Sequence, residues 1–190
     1  MLTGQIEPAV AADIIAYNQN VGEIGNPHAG TIMRFDLPIR VYVDSSFDRF
    51  SPCAQRAVAT WTSATGFPIV FTDTEVEPRI EMIVMQTADS RARTLTVSVN
   101  LDNSLRSVNL IMPTWGPGCD APVEDTVNHE FGHALGIVGH PDWGGVMAHL
   151  PYGVNPGVRK PSAREVRMLV GLYSLPLGAH LEPDGTWIVP

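Results

Sequence analysis

Four of the six histidines in this chain fall between His129 and His149, in the run HEFGHALGIVGHPDWGGVMAH. His129 and His133 are four positions apart, so on a helix both imidazoles project from one face and can reach a single ion. Neutral imidazole nitrogens are good zinc ligands. Glu130 follows the first histidine and is long enough to reach a water held at that ion. Bound zinc lowers the pKa of such a water toward ~7, and a neighbouring carboxylate can take its proton and later pass it to a leaving amine. A catalytic zinc needs a third protein ligand and one open position. Gly136 is placed to end the helix in a left-handed cap, after which the chain can turn back and offer His140. A bare H-E-x-x-H arises by chance on polar helices. The glycine, the third histidine and Met147, all in order downstream, favour a zinc site with Glu130 as general base. The expected cofactor is one catalytic Zn2+; no D-x-[DN]-x-[DN]-G loop argues for Ca2+.

The motif needs a helix to carry it and a frame to hold that helix. A helix is predicted to start near Pro122, with Glu124 and Asp125 in its first turn, where the helix dipole favours negative charge. The irregular stretch PTWGPGCDAP delivers the chain to it. Upstream, Ser51 as N-cap, Pro52 at the first helical position and Gly66 past the end delimit another helix. Its Ala54, Ala57, Val58 and Trp61 make a core-facing stripe. Strands are expected at Ile39–Val43, Ile69–Thr72, Arg79–Met85, Thr94–Val99 and Ser107–Met112. The Thr94–Val99 stretch alternates polar and apolar, as a strand wet on one face should. A last helix, about 162–174, opens with the capping box Ser162-Ala163-Arg164-Glu165. A short helix at 7–19 and a Gly/Asn/Pro-rich connector at 21–30 precede everything. Residues 1–34 therefore read as an N-terminal extension, an arm or a propeptide remnant, and 35–190 as the catalytic domain. The fold class is α+β.

The run from His129 to Met147 resembles the signature of the metzincin zinc endopeptidases, H-E-x-x-H-x-x-G-x-x-H followed by a Met-turn. HEFGHALG in particular is similar to the matrixin (matrix metalloprotease) branch. The resemblance extends more loosely over roughly residues 35–175. It implies a zincin fold: a twisted mixed β-sheet with two helices, an active-site helix, a Met-turn and a C-terminal helix. It matches His129 and His133 to the first two zinc ligands, Glu130 to the general base and Met147 to the Met-turn methionine. The third histidine should lie three residues after Gly136, where this chain has Gly139. His140 is one residue late, so a bulge in Ile137-Val138-Gly139 must absorb the difference; otherwise Asp142 is the candidate ligand.

By the same resemblance, His149 stands near a position where related branches place a tyrosine that approaches the metal, and it is a candidate donor to the oxyanion; an exposed loop histidine is the plainer reading. Tyr152, Arg159 and Lys160, in the loop after Met147, are candidates to shape a specificity pocket. Thr94–Val99 would be the edge strand on which an extended substrate pairs. Only His28 precedes the motif, which argues against a second zinc. An aspartate of the front segment, such as Asp13, is a candidate to cap a metal, with a solvated helix residue as the plainer reading. A gluzincin arrangement would take Glu165 as ligand, but the capping box already accounts for that residue.

Bulk properties bound the rest. With 190 residues, 44% apolar and 17% charged, the chain suits one globular domain with an extension. The net charge of -8 argues against nucleic acid and, more weakly, against an anionic membrane. The opening residues lack the pattern of a signal peptide, although the function implied is that of a secreted or extracellular protein. Cys53 and Cys119 fit either one long-range bridge in an exported protein or two buried thiols. The expected partner is a peptide or protein substrate, and the expected state a monomer. Two other functions share the motif: a zinc-binding interaction module with weak or lost turnover, and a hydrolase of non-peptide amides.

Overall fold

The computed structural model describes residues 2–18, 31–85, 91–99, 104–114, 118–149 and 157–189. In chain order these form β1 (Leu2–Gln5), α1 (Pro8–Tyr17), β2 (Ile39–Val43), a 3-10 helix (Ser45–Phe50), α2 (Ser51–Thr65), β3 (Ile69–Thr72), β4 (Arg79–Met85), β5 (Arg93–Val99), β6 (Leu105–Pro113), α3 (Ala121–Leu135), α4 (Ala163–Ser174), β7 (His180–Leu181) and β8 (Thr186–Val189). The class is mixed α+β, with four α-helices and two sheets among the described residues.

The main sheet has the order β3-β2-β4-β6-β5. Its first four strands run parallel, and β5 joins the far edge antiparallel to β6, with an irregular register after Thr96. Side chains alternate across a strand, so Ile39 and Val41, Ile80 and Met82, and Val108, Leu110 and Met112 share one face. All are buried, and they join one core with the stripe Ala54, Ala57, Val58 and Trp61 of α2 and with Val127 and Phe131 of α3. The two helices are tied by more than packing: the Trp61 indole N–H donates to the Asn128 carbonyl at 3.0 Å. A disulfide between Cys53 and Cys119 closes the same junction, so of the two readings of these cysteines the bridge is the one formed.

The start of α2 differs from the expected cap. Ser51 lies inside the helix, which continues directly from the 3-10 helix with Phe50 at the N-cap position and no side-chain cap. The capping is done one element earlier, where the Asp44 side chain accepts from the Ser46 N–H at 2.8 Å. A preceding helical turn already supplies partners for the N–H groups that a serine cap would have served.

The second sheet, β1-β8-β7, brings the two ends of the chain together and was not foreseen from the sequence. Helix α1 packs on α4, and its Val10, Ala11 and Ile14 belong to the same core as the main sheet. Asp13 is buried, not solvated. It forms a two-pronged ion pair with Arg164 of α4, at 2.7 and 2.9 Å. Among the described residues no helix is long and apolar enough to cross a membrane.

Candidate metal centre

Helix α3 is set up locally. The Asp120 side chain caps it by accepting from the Val123 N–H, Pro122 occupies its first turn, and Gly136 ends it at φ 119 in the left-handed region. The four-residue spacing then puts His129 and His133 on one face, with ring centroids 4.7 Å apart. Glu124 is in the first turn as expected. Asp125 is not a solvated dipole partner: it is buried in the second turn and accepts three bonds from the Arg159 guanidinium at 2.8–3.1 Å.

His140 returns to this face despite its late position. Its Nε2 lies 3.1 Å from Nε2 of His129 and 3.3 Å from Nε2 of His133. The ligand atoms of all three histidines lie within 4.8 Å of one another, close enough to hold a metal ion. Asp142 stands exposed outside this group, in the electrostatic reach of Arg164.

The tautomers follow from the outer ring nitrogens. His129 Nδ1 lies 2.7 Å from the Val146 carbonyl, and His133 Nδ1 lies 2.5 Å from the Ile137 carbonyl. A carbonyl only accepts, so each Nδ1 carries the proton and each Nε2 lone pair faces the cluster. Burial holds His133 neutral, pushing its pKa down to about 4, with the neighbouring His129 adding to the effect. Burial also lowers His129 and His140, in the latter case assisted by His149. Three converging neutral imidazoles are a donor set suited to a borderline divalent cation.

Glu130 is buried beside the first histidine, and burial raises its pKa to about 7. The Thr94 hydroxyl opposes that rise; it lies 2.8 Å from both the Glu130 carboxylate Oε2 and the Glu130 carbonyl. In the sequence Thr94 stands only as part of a strand pattern. In that strand Leu95 is exposed and Thr94 is turned toward α3. The polar residue faces inward here because a buried carboxyl is waiting for a donor. No periodicity signal distinguishes such a threonine from a solvated one.

Beneath α3 runs the segment 144–147. Met147 is fully buried, and a Cβ on Gly132 would overlap its sulfur, so helix and methionine meet at a contact only glycine allows. The Met147 N–H donates to Glu165 Oε1 at 2.7 Å, while Glu165 Oε2 accepts from the Ser162 N–H at 2.5 Å, completing the expected capping box. Glu165 is thus committed to two backbone donors and stands outside the histidine cluster. Arg159 holds the same segment from the other side through the Gly145 and Ala148 carbonyls, at 3.3 and 2.7 Å. That makes it a brace, whereas Lys160 is exposed. His149 is exposed, with its ring 5.8 Å from that of His140 and edge-on to it. Tyr152 and His28 lie outside the described residues.

The chain matches no protein-family model, and no curated protein is significantly similar to it.

Proposed function

We propose that this chain is a zinc-dependent endopeptidase of metzincin type, with a catalytic domain similar to the matrixins. The observation that carries the reading is the convergence of three histidine Nε2 atoms, with that of His140 at 3.1 and 3.3 Å from the other two, next to the buried carboxyl of Glu130. His129, His133 and His140 would hold the ion; three protein ligands with one open position are the mark of a catalytic rather than a structural zinc. When bound, zinc supplies a Lewis acid that polarises a carbonyl and acidifies water. Glu130 exchanges the proton. Its carboxylate, buried beside the first histidine, can accept one from the attacking water and return it to the leaving amine. The Thr94 hydroxyl holds that carboxylate in place.

Further features support the family assignment. A mixed sheet, two helices on one face, an active-site helix ended by a left-handed glycine, a buried methionine beneath it and a capped last helix come in the metzincin order. Met147 then plays the Met-turn role. Strand β5 is an open edge beside Glu130, where an extended peptide could pair by backbone hydrogen bonds. His149 is the candidate to donate to the oxyanion. The disulfide suits secretion, and a monomer acting on peptides is the simplest working state.

The test is metal content and cleavage of a quenched peptide library by the intact chain, beside Glu130→Ala and His140→Ala. We expect one chelator-sensitive zinc per chain and clean cleavage. Glu130→Ala should keep zinc and lose cleavage, and His140→Ala should lose both. Zinc binding without peptide cleavage would favour a binding module; cleavage confined to non-peptide amides would favour the other hydrolase class.

A further inference from the structure

We propose that the C-terminal end of helix α1 is the brace that places His140 in the metal centre, acting through the Asn18 side-chain amide and the Tyr17 carbonyl. The inference rests on the metal-centre reading and concerns how the late histidine is held. Helix α3 stops at Leu135, and the residues 136–139 that lead to His140 have no regular structure of their own. A buried backbone must still find partners for its polar groups, and where those partners lie decides where the loop goes.

Half of the bonds go back to α3, and the other half go to α1. The Tyr17 carbonyl accepts from the Val138 N–H at 2.6 Å and the Gly139 N–H at 3.2 Å. The Asn18 amide is fully buried and reads three backbone groups. Its Nδ2 donates to the Gly136 carbonyl at 2.8 Å and the Met33 carbonyl at 2.9 Å, while its Oδ1 accepts from the Met33 N–H at 3.1 Å. The Ile137 carbonyl takes the His133 ring proton, and the Gly136 and Ile137 N–H groups donate back to the His133 and Gly132 carbonyls of α3. Docking this close requires the two glycines of the loop. A Cβ on Gly139 would come within 2.8 Å of the Tyr17 ring, and one on Gly136 within 3.0 Å of Asn18 Nδ2. Past His140 the same helix grips again: the Tyr17 ring meets Trp143 at 5.4 Å, and Arg164, paired with Asp13, lies 4.0 Å over the Trp143 ring. The chain is therefore held by α1 on both sides of the third histidine.

Asn18 is a positioning residue in this view, and metal affinity should report it. The experiment titrates Zn2+ against a chromogenic chelator using the full chain, comparing wild type with Asn18→Ala, Asn18→Asp, Gly139→Ala, His140→Ala and a control on the same helix, Val10→Ala. Asn18→Asp keeps the shape but loses both donors and sets a carboxylate against two carbonyls. Outer-shell partners bonded directly to metal ligands are worth about 10–100-fold in affinity; Asn18 acts one step further out, through the Gly136 carbonyl, so both of its variants should fall at the low end of that range, about tenfold. Gly139→Ala should move the same way by less, and it carries the test if an Asn18 variant does not fold. Val10→Ala, which loosens the packing of α1 without touching the loop, should lower the melting temperature and keep wild-type affinity. Asn18 and Gly139 variants that bind zinc like wild type overturn the inference, as does a Val10→Ala loss equal to theirs. A wild-type chain that binds no zinc overturns the metal-centre reading itself, a different result from the same titration.

Discussion

The buried carboxyl of Glu130 makes a thermodynamic signature that can be read without substrate. In the metal-free folded protein its pKa is about 7, against 4.5 for the exposed group. Between those values the folded chain binds the proton more tightly than the unfolded chain, so stability falls as pH rises through the window. At ~1.36 kcal/mol per pH unit, the full swing is about 3 kcal/mol. Glu130→Gln removes the titration while leaving a carbonyl oxygen to accept from Thr94. His133 works in the opposite direction: held at about 4, it refuses a proton that the unfolded chain accepts below 6.5, and so costs stability on acidification. That contribution is present in both proteins and cancels in their difference. Urea unfolding of chelator-treated wild type and Glu130→Gln, near pH 4.5 and near pH 8.5, is the assay. The two proteins should be nearly equal at the acid end, and the variant should be more stable by about 3 kcal/mol at the alkaline end. A stability difference that is the same at both pH values would refute the claim that burial holds this carboxyl protonated.

Two further outcomes follow from the braces around the site. Asp125→Asn removes the charge and one acceptor oxygen facing the Arg159 guanidinium, leaving it a neutral amide oxygen and the Gly145 and Ala148 carbonyls; calorimetry should show a loss of about 3 kcal/mol, roughly 6–12 °C in Tm for a chain of this size, with much of it recovered in Asp125→Leu/Arg159→Met. Replacing both Cys53 and Cys119 by alanine opens a link spanning 66 residues, and loop-closure entropy puts the cost at about 4 kcal/mol in urea unfolding.

The elements legible in the sequence are those written in local spacing. The stripe of α2, the strands β2, β3, β4 and β6, the capping box of α4 and the left-handed end of α3 each follow from residues within a few positions of one another. The elements that were missed or misread have distant causes. Sheet β1-β8-β7 joins opposite ends of the chain, and each of its short strands lacks a pattern long enough to stand out. Ser51 has the composition of a cap, but a 3-10 helix already serves the groups it would have capped. Asp13 and Asp125 are ordinary helix acids in sequence and buried ion-pair partners in space, because Arg164 and Arg159 reach them from elements more than 30 positions away.

The same division runs through the site. That His129 and His133 share a face, with Glu130 beside them and a helix end at Gly136, was determined by the sequence alone, since the 3.6-residue period and the glycine's freedom at positive φ act within a single helix. Which later residue joins them was left open between His140 and Asp142, because an irregular loop has no period and goes where its backbone groups find partners. Those partners, the Tyr17 carbonyl and the Asn18 amide, lie more than a hundred positions upstream. Tertiary packing therefore decided that His140 meets the other two histidines, that Thr94 faces Glu130, and that Glu165 grips the turn beneath the histidine cluster.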